Sequence, residues 1–272
     1  ASTVLGTGDG FLYTVAPQLT LALTGTVSKV YDGTDAASVD PATQVSVSGA
    51  IDGDQVVLDI AGPATYVDKN VGAGKAVTVS GIGLDSASDG SVQVYGYGMA
   101  GSSVSGNIGT ITPKQIQLAA GVAQGKVYDG TTNAALGALD LSGVVTGDDV
   151  SAGGTVTAQF VDRNAGTGKQ VNLAGLVLGG VDAGNYQVST VTQADILQRT
   201  LQAVVQVGDK VYDGSTGAQV LSQALDNAVL GDDVVLDITA STFADKNAGT
   251  GKAVTLTGGL GGTDAGNYAC LL

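Results

Sequence analysis

The sequence predicts an all-β protein made of three tandem β-sandwich-like (Ig-like) modules in an extended row. Three observations support this fold class. A set of short motifs recurs three times along the 272 residues. Between the motifs, apolar and polar residues alternate with the period of two that is typical of half-buried strands. Asp-Gly, Gly-Asp and Asn-x-Gly clusters separate these segments, as in the turns of an antiparallel sandwich.

The repeats are defined by motifs in a constant order. The string Lys-Val-Tyr-Asp-Gly occurs at 29–33, 126–130 and 210–214, and a Gly-Asp-x-Val motif follows at 53–56, 147–150 and 231–234. An Asp-Lys/Arg-Asn-x-Gly-x-Gly-Lys loop comes next, at 68–75, 162–169 and 245–252. An Asp-Ala-Gly-Asn-Tyr turn ends the set at 182–186 and 264–268, whereas residues 85–98 replace it in the first repeat. This self-similarity predicts a tandem array of one module.

Strands are predicted where the alternation is clearest, at 19–23, 56–60, 76–80, 116–118, 155–160, 201–207 and 253–257. Helical periodicity is weak. It is limited to 132–139 and 217–225, each of which could form one or two helical turns at most.

Short polar segments between apolar runs mark the module boundaries. They divide the chain into an N-terminal strand segment (1–17), repeat 1 (18–113), repeat 2 (114–198) and a truncated repeat 3 (199–272). Repeat 3 has no counterpart of residues 187–197, which we interpret as the closing strand of repeat 2. Repeat 3 should therefore expose an apolar groove and an unpaired strand edge.

The N-terminal segment contains a strand-like run of five residues, Phe11, Leu12, Tyr13, Thr14 and Val15. One interpretation is that this strand fills the open repeat 3 of the next molecule, which would give a head-to-tail filament. The alternative is that the chain is part of a larger protein, in which this strand belongs to a preceding module.

Composition excludes several classes of function. The chain has no His, and all 25 acidic residues are Asp, which removes histidine-based triads and Glu-dependent acid–base chemistry. We therefore do not expect an enzyme. A net charge of −14 argues against nucleic acid and anionic membranes as partners. The single cysteine, Cys270, cannot form an intrachain disulfide, and no apolar run is long enough to span a membrane as a helix.

The recurring tyrosines, Tyr31, Tyr128 and Tyr212, precede Asp-Gly turns at predicted strand ends. We expect each ring to close the edge of a core, with its hydroxyl bonded to backbone. The alternative is a sugar-binding surface on which the rings stack.

The glycine-rich loops are predicted to reverse the chain between strands. Asn70, Asn164 and Asn247 tolerate left-handed backbone, and the two glycines that follow each of them permit positive φ. The first Asp and the last Lys of each loop should face each other. These pairs are Asp68 with Lys75, Asp162 with Lys169 and Asp245 with Lys252.

Aspartates in the Gly-Asp turns are candidate calcium ligands, at Asp54, Asp148, Asp149, Asp232 and Asp233. No segment matches an EF-hand loop, and the favoured interpretation is that these side chains cap local backbone N–H groups. No cofactor is expected, with calcium as the alternative. A less favoured possibility is an isopeptide bond between a recurring Lys, such as Lys126, and a loop Asn.

The combined motifs resemble the YDG/MBG-type ("mostly beta, glycine-rich") repeat of large bacterial surface adhesins similar to filamentous haemagglutinin. The likeness covers about residues 18–272, and residues 111–114 resemble the short linker between such repeats. It implies a β-rich repeat, secreted or attached to the cell surface, in cell adhesion or biofilm matrix. It implies no catalytic residues.

The expected function is therefore structural. We expect a stalk or fibre subunit, extracellular or on a bacterial surface, that associates with itself or with neighbouring repeats of a larger chain. The alternative is a carbohydrate-binding module that engages exopolysaccharide. Its candidate contacts are Tyr95 and Tyr97, which lie among glycines where repeat 1 departs from the shared pattern.

Overall fold

The computed structural model describes residues 16–51 and 53–271. The predicted polymerisation strand, Phe11 to Val15, lies outside the described residues. The regular secondary structure of the described chain is nearly all β-strand, in several sheets, which confirms the all-β prediction and is consistent with β-sandwich-like modules.

Repeat 1 contains eleven of the described strands and one short helix. They are β1 Gln18–Leu23, β2 Val27–Val30, β3 Ala36–Ala37, α1 Pro41–Gln44, β4 Val45–Ser48, β5 Gln55–Ile60, β6 Ala64–Tyr66, β7 Gly72–Ser80, β8 Ile82–Asp89, β9 Val92–Gln93, β10 Gly98–Met99 and β11 Ser103–Thr112. Their sheets have the orders β10-β1-β4, β2-β11-β7-β6-β3 and β5-β8-β9. In the five-stranded sheet, β11 is parallel to β2 and antiparallel to β7.

Repeat 2 follows the same plan. Its elements are β12 Lys114–Leu118, β13 Lys126–Val127, β14 Asn133–Ala134, β15 Leu141–Ser142, β16 Ser151–Gly153, β17 Thr157–Phe160, β18 Gly166–Ala174, β19 Val177–Gly179, the 3-10 helix Ala183–Asn185, β20 Tyr186–Val188 and β21 Val191–Leu197. The sheets are ordered β15-β12-β20, β13-β21-β18-β17-β14 and β16-β19. Here β21 takes the place of β11, parallel to β13 and antiparallel to β18.

Repeat 3 has a smaller set of strands. They are β22 Arg199–Val207, β23 Val220–Asp226, β24 Val235–Phe243, β25 Val254–Gly261 and β26 Tyr268–Leu271, with the 3-10 helix Ala265–Asn267 before β26. Its sheets are β23-β22-β26 and β24-β25. Within residues 199–271, no strand pairs with the second edge of β25, where β11 and β21 pair in the earlier repeats.

The helical turns that the sequence allows at 132–139 and 217–225 do not form. The first segment contains β14, which pairs with β17, and the second contains most of β23, which pairs along its length with β22. Pairing with a neighbouring strand overrides the weak local helical pattern. The helices of the described residues are each a single turn, so none could cross a membrane.

The glycine-rich loops reverse the chain with fewer left-handed residues than expected. Only the second glycine of each loop has a positive φ, at Gly74 (64°), Gly168 (58°) and Gly251 (61°). The loop asparagines do not, since Asn227 is the one described non-glycine residue with positive φ. The first glycine of the loop already begins β7 in repeat 1 and β18 in repeat 2.

The described chain divides into two compact units that do not follow the repeats. One comprises the described residues up to Ile116 together with Gly143–Ser151 and Leu178–Val188, and the other comprises Gln117–Ser142, Ala152–Val177 and the described residues from Ser189 onward. Each unit therefore contains one outer repeat together with parts of repeat 2. The parts of repeat 2 in the first unit include Asp148 and Asn185, which hydrogen-bond residues of repeat 1.

Candidate functional site

The recurring motifs meet where one repeat contacts the next. The first joint, within the first unit, combines Tyr31 and the loop 69–71 of repeat 1 with Asp148 and the turn 182–186 of repeat 2. The second joint, within the second unit, combines the corresponding residues of repeats 2 and 3. All four motifs therefore contribute to a contact between two repeats.

Asp148 is the centre of the first joint. Its Oδ2 accepts hydrogen bonds from the hydroxyls of Tyr31 (2.7 Å) and Tyr186 (2.5 Å). Its Oδ1 accepts from Lys69 Nζ at 3.0 Å, and its side chain is only 5% exposed. Charge-assisted hydrogen bonds of this kind are stronger than neutral ones, so this carboxylate links two repeats through three donors.

Aromatic and cation contacts surround that carboxylate. The rings of Tyr31 and Tyr186 pack edge to face, with centroids 5.3 Å apart at 75°. Lys69 Nζ lies 5.8 Å from the Tyr31 centroid and pairs with Asp182 at 3.2 Å. The Tyr186 hydroxyl also accepts the backbone N–H of Val145 at 3.0 Å, which fixes the Gly-Asp-Asp-Val turn against the tyrosine.

Asn185 forms a second connection across the first joint. Its side chain is buried, and its Oδ1 accepts the backbone N–H of Val71 at 2.8 Å. Its Nδ2 donates to Asn70 Oδ1 at 3.1 Å. The 3-10 turn Ala183–Asn185 presents this amide, so the Asp-Ala-Gly-Asn-Tyr motif holds the glycine-rich loop of the preceding repeat.

The second joint has the same geometry with arginine in place of lysine. Asp232 Oδ2 accepts from Tyr128 (2.8 Å) and Tyr268 (2.6 Å), whose rings are again edge to face. Arg163 donates to Asp232 at 2.7 Å and to Asp264 at 2.8 Å, so its guanidinium bridges two carboxylates. Asn267 Oδ1 accepts the Ala165 N–H at 2.8 Å.

Burial and hydrogen bonding shift the pKa values in the joints. Burial raises the pKa of Asp148, but the hydrogen bonds from Tyr186, Tyr31 and Lys69 outweigh it, so the pKa lies below the ordinary value. The pKa of Asp232 is lowered by the equivalent balance. Burial, followed by the hydrogen bond to Asp148, raises the pKa of Tyr186 to about 12. The joints therefore require ionised aspartates and neutral tyrosines.

The core role predicted for the tyrosines is confirmed in two of three repeats. Tyr31 and Tyr128 are 1% and 0% exposed, whereas Tyr212 is 60% exposed. The prediction of a backbone partner is wrong, because both buried hydroxyls donate to a carboxylate of the following repeat. Sequence reasoning missed this partner because the tyrosine and the aspartate are more than 100 residues apart.

The recurring lysines hold their own turns. Lys29 Nζ contacts Asp32 and the carbonyl of Thr34, and Lys126 contacts Asp129 and Thr131 in the same way. These contacts account for the lysines without a cross-link to asparagine. The predicted ion pairs within the glycine-rich loops are confirmed in all three repeats, as Lys75 with Asp68, Lys169 with Asp162 and Lys252 with Asp245.

The carboxylates of the five candidate calcium ligands accept hydrogen bonds from other groups of the protein. The capping interpretation is wrong for Asp148 and Asp232, which accept hydroxyl and cation donors, and for Asp54, which accepts the Tyr97 hydroxyl. It holds only in part for Asp149 and Asp233, whose carboxylates accept backbone N–H groups that are not local but belong to a turn about 30 residues later, at Val181 and Thr263. Among residues 16–51 and 53–271, no three His, Cys, Asp or Glu side chains form a group that could hold a metal ion.

Tyr97 is the repeat 1 counterpart of Tyr186 and Tyr268. Its hydroxyl donates to Asp54 at 2.5 Å and accepts the Ile51 N–H at 2.8 Å, as Tyr186 does with Asp148 and its turn. Tyr97 is half-buried, whereas Tyr95 is 81% exposed and donates to Gln93. Of the two candidate glycan contacts, only Tyr95 is therefore well exposed, because Tyr97 retains the role of the motif tyrosine within the divergent segment.

A groove lies in repeat 3 at the position that β11 and β21 occupy in the other repeats. Its volume is about 620 Å³, and residues from 207–215 and 243–254 line it. Its walls include the predicted core tyrosine Tyr212 and the glycine-rich loop. The groove is only partly apolar, contrary to the expectation, since Asp209, Lys246 and Asn247 line it beside Phe243 and Val254. Residues 187–197 are also not one closing strand. Their first residues belong to β20, whose counterpart β26 is present in repeat 3, and only β21 has no counterpart among the described residues.

The comparisons with known proteins agree with the repeat pattern. A family model of the YDG domain matches residues 15–92, 112–194 and 198–270. No curated protein matches. Among solved structures, a crystal structure of Drosophila N-cadherin EC1-4 aligns at 7% identity over 89% of this chain and 71% of that chain, with a TM-score of 0.22. That likeness is too weak to bear on fold or function. Since the family model matches three segments that together span most of the sequence, the chain belongs to the YDG domain family.

Proposed function

We propose that this chain is a structural element of a bacterial extracellular fibre or adhesin, in which joined YDG repeats form a stalk for cell adhesion or biofilm matrix. One observation carries the proposal. The polar residues that recur in the repeats contact each other across the joints, where a ligand-binding or catalytic repeat would present them to solvent.

The joints suit a mechanical role. Asp148 and Asp232 have side chains only 5% and 1% exposed, and each holds two tyrosines and a cation. Bending a joint would expose a carboxylate, two hydroxyls and the apolar faces of two rings. Leaving such buried groups without partners costs about 1–3 kcal/mol for each neutral group. A row of such joints would resist bending better than repeats connected by flexible linkers.

Composition supports an extracellular setting. The chain is acidic, rich in Gly and Asp, and has 11 basic residues and a single cysteine. A net charge of −14 keeps such a chain soluble at high local density. The partners that fit this proposal are further copies of the chain or neighbouring repeats of a longer polypeptide.

The test is deletion of the gene in the source bacterium, followed by complementation. Wild-type chain should be found on the cell surface by immunogold labelling and should restore adhesion or biofilm mass. A chain carrying Asp148→Asn and Asp232→Asn should reach the surface and fail to restore it, whereas Asp85→Asn, a substitution outside the joints, should behave as wild type. Intracellular location, or adhesion unaffected by the deletion, would contradict the proposal.

A second candidate function is recognition of exopolysaccharide, favoured by the exposed ring of Tyr95. A glycan array tests it. Binding that is lost in Tyr95→Ala and kept in Tyr212→Ala would support a sugar site in repeat 1. No binding by the wild-type chain would exclude it for the glycans presented.

A further inference from the structure

We propose that the groove of repeat 3 is an acceptor site for an extended strand, and that its occupant is residues 10–13 of a second copy of this chain. This inference rests on the proposed structural function and specifies how copies would join. Two filled grooves within the same chain support it.

Repeats 1 and 2 show how the groove is filled. In repeat 1, β11 lies between β2, to which it is parallel, and β7, to which it is antiparallel. In repeat 2, β21 lies between β13 and β18 with the same two orientations. In repeat 3, β25 has the position of β7 and β18, and its ladder with β24 pairs Phe243 with Val254 just as Phe160 pairs with Val171.

Side chains that the closing strand covers in the earlier repeats are uncovered in repeat 3. Val77 and Val171 are both 0% exposed, whereas the equivalent Val254 is only half-buried and lines the groove. Phe160 is 3% exposed, and the equivalent Phe243 is again half-buried. The groove therefore presents core side chains of the repeat, for which water is an unfavourable neighbour.

The closing strands share a small residue two positions before a buried isoleucine. The pairs are Gly109 with Ile111 and Ala194 with Ile196, and both isoleucines are 1% exposed. Space requires the small residue, since a Cβ on Gly109 would lie 2.7 Å from the ring of Tyr66. The sequence of a strand that occupies the groove of repeat 3 should therefore contain a small residue, then any residue, then a large aliphatic residue.

Residues 10–13, Gly-Phe-Leu-Tyr, fit that pattern with Gly10 and Leu12. The connection to the next repeat also fits. Ile111 and Ile196 precede the buried first-strand residues Ile116 and Leu201 by five positions, and Leu12 precedes the equivalent Leu19 by seven. A strand donated by a second copy would thus place that copy's repeat 1 next in order, with two additional connecting residues.

Joint residues at the two ends of the chain complement each other. Tyr212 and Lys246 of repeat 3 occupy the positions of Tyr128 and Arg163, and both are exposed. Asp54 of repeat 1 occupies the position of Asp232 and accepts the Tyr97 hydroxyl. Between two copies, the Tyr212 hydroxyl and Lys246 would reach Asp54. Gly96 stands where Asn267 lies in repeat 3, so this joint lacks the amide contact and should be weaker than the internal ones.

Sedimentation velocity of the full chain tests the proposal with two neighbouring substitutions. Leu12→Asp places a charge on the strand face that enters the groove and should abolish concentration-dependent assembly. Phe11→Asp makes the same charge change on the opposite face, where repeat 2 has the exposed Asp195, and should retain assembly. Equal assembly by both variants, or none by the wild-type chain, would overturn the proposed occupant.

Peptide binding tests the groove separately. A fluorescent peptide of residues 6–18 should bind the full-length Leu12→Asp chain, and a peptide of residues 190–199 containing β21 should displace it. A Leu12→Asp peptide should bind at least tenfold more weakly. If only the β21 peptide binds, the occupant is not a second copy, and if neither binds, the groove is not an acceptor site. Neither result affects the outcome of the cell-surface experiment, so the acceptor-site proposal and the proposed structural function can be refuted independently.

Discussion

The hydroxyl of Tyr31 donates a 2.7 Å hydrogen bond to Asp148, a residue 117 positions later in the chain. Tyr186, from the same repeat as Asp148, donates to the same carboxylate oxygen. The core of repeat 1 is therefore closed by a residue of repeat 2. Since Tyr128 and Asp232 have the same relationship, each joint couples the stability of two successive repeats.

Replacing the central carboxylate should weaken a joint without altering its shape. Asp148→Asn removes the buried carboxylate that accepts from Tyr31, Tyr186 and Lys69, while Lys69 keeps its pair with Asp182. We expect a loss of about 1–3 kcal/mol of unfolding free energy. Asp54→Asn is the matched control, because Asp54 accepts the Tyr97 hydroxyl but pairs with no cation among the described residues. Urea denaturation at a concentration where the chain is monomeric measures both. Equal losses would contradict the assigned role of Asp148.

Alkaline pH should loosen the joints. The pKa of Tyr186 is raised to about 12 from an ordinary value of 10.0, so folding favours its neutral form. Its contribution to stability should be complete below pH 10 and should be lost as the pH rises from 10 towards 12. Unfolding free energies measured between pH 8 and 12 should fall, with a shallower slope in Tyr186→Phe. Tyr95→Phe, outside both joints, is the control, and a slope unchanged by Tyr186→Phe would oppose the assignment.

The core of repeat 1 contains a hydroxyl whose removal should stabilise it. Tyr66 is 2% exposed and its hydroxyl has no hydrogen-bond partner, whereas repeats 2 and 3 have Phe160 and Phe243 at this position. Tyr66→Phe should therefore raise the unfolding free energy by about 1 kcal/mol. Tyr31→Phe, which deletes a bonded hydroxyl, should lower it. Thermal melts compare the melting temperatures of both variants with that of the wild-type chain. A lower melting temperature for Tyr66→Phe would refute the prediction.

Much of the fold could be predicted from the sequence, because strand alternation and turn residues are local signals. The repeats were predictable for the same reason. The joints were not. Pairing Lys69 with Asp148 requires knowledge of which repeat faces which, and one chain gives no such information. A usable signal was the second loop residue, basic in all three repeats as Lys69, Arg163 and Lys246.

A small residue should be essential where β11 crosses the core of repeat 1. A Cβ on Gly109 would meet the Tyr66 ring at 2.7 Å and Val77 at 2.8 Å. Gly109→Leu should therefore destabilise the chain by more than about 3 kcal/mol through overpacking. Gly101→Leu, at an exposed glycine, is the control. Circular dichroism melts that show equal stability for the two variants would contradict the predicted need for a small residue at position 109.

The most direct test of the joints is a double-mutant cycle between Tyr128 and Asp232, which belong to different repeats. Unfolding free energies are measured for the wild-type chain, Tyr128→Phe, Asp232→Asn and the double variant. A second cycle, in which Tyr212→Phe replaces Tyr128→Phe, is the control. If the motifs join repeats, the first pair should couple by at least about 1 kcal/mol, and the control pair should be additive within about 0.5 kcal/mol. Additivity in both cycles would contradict the account.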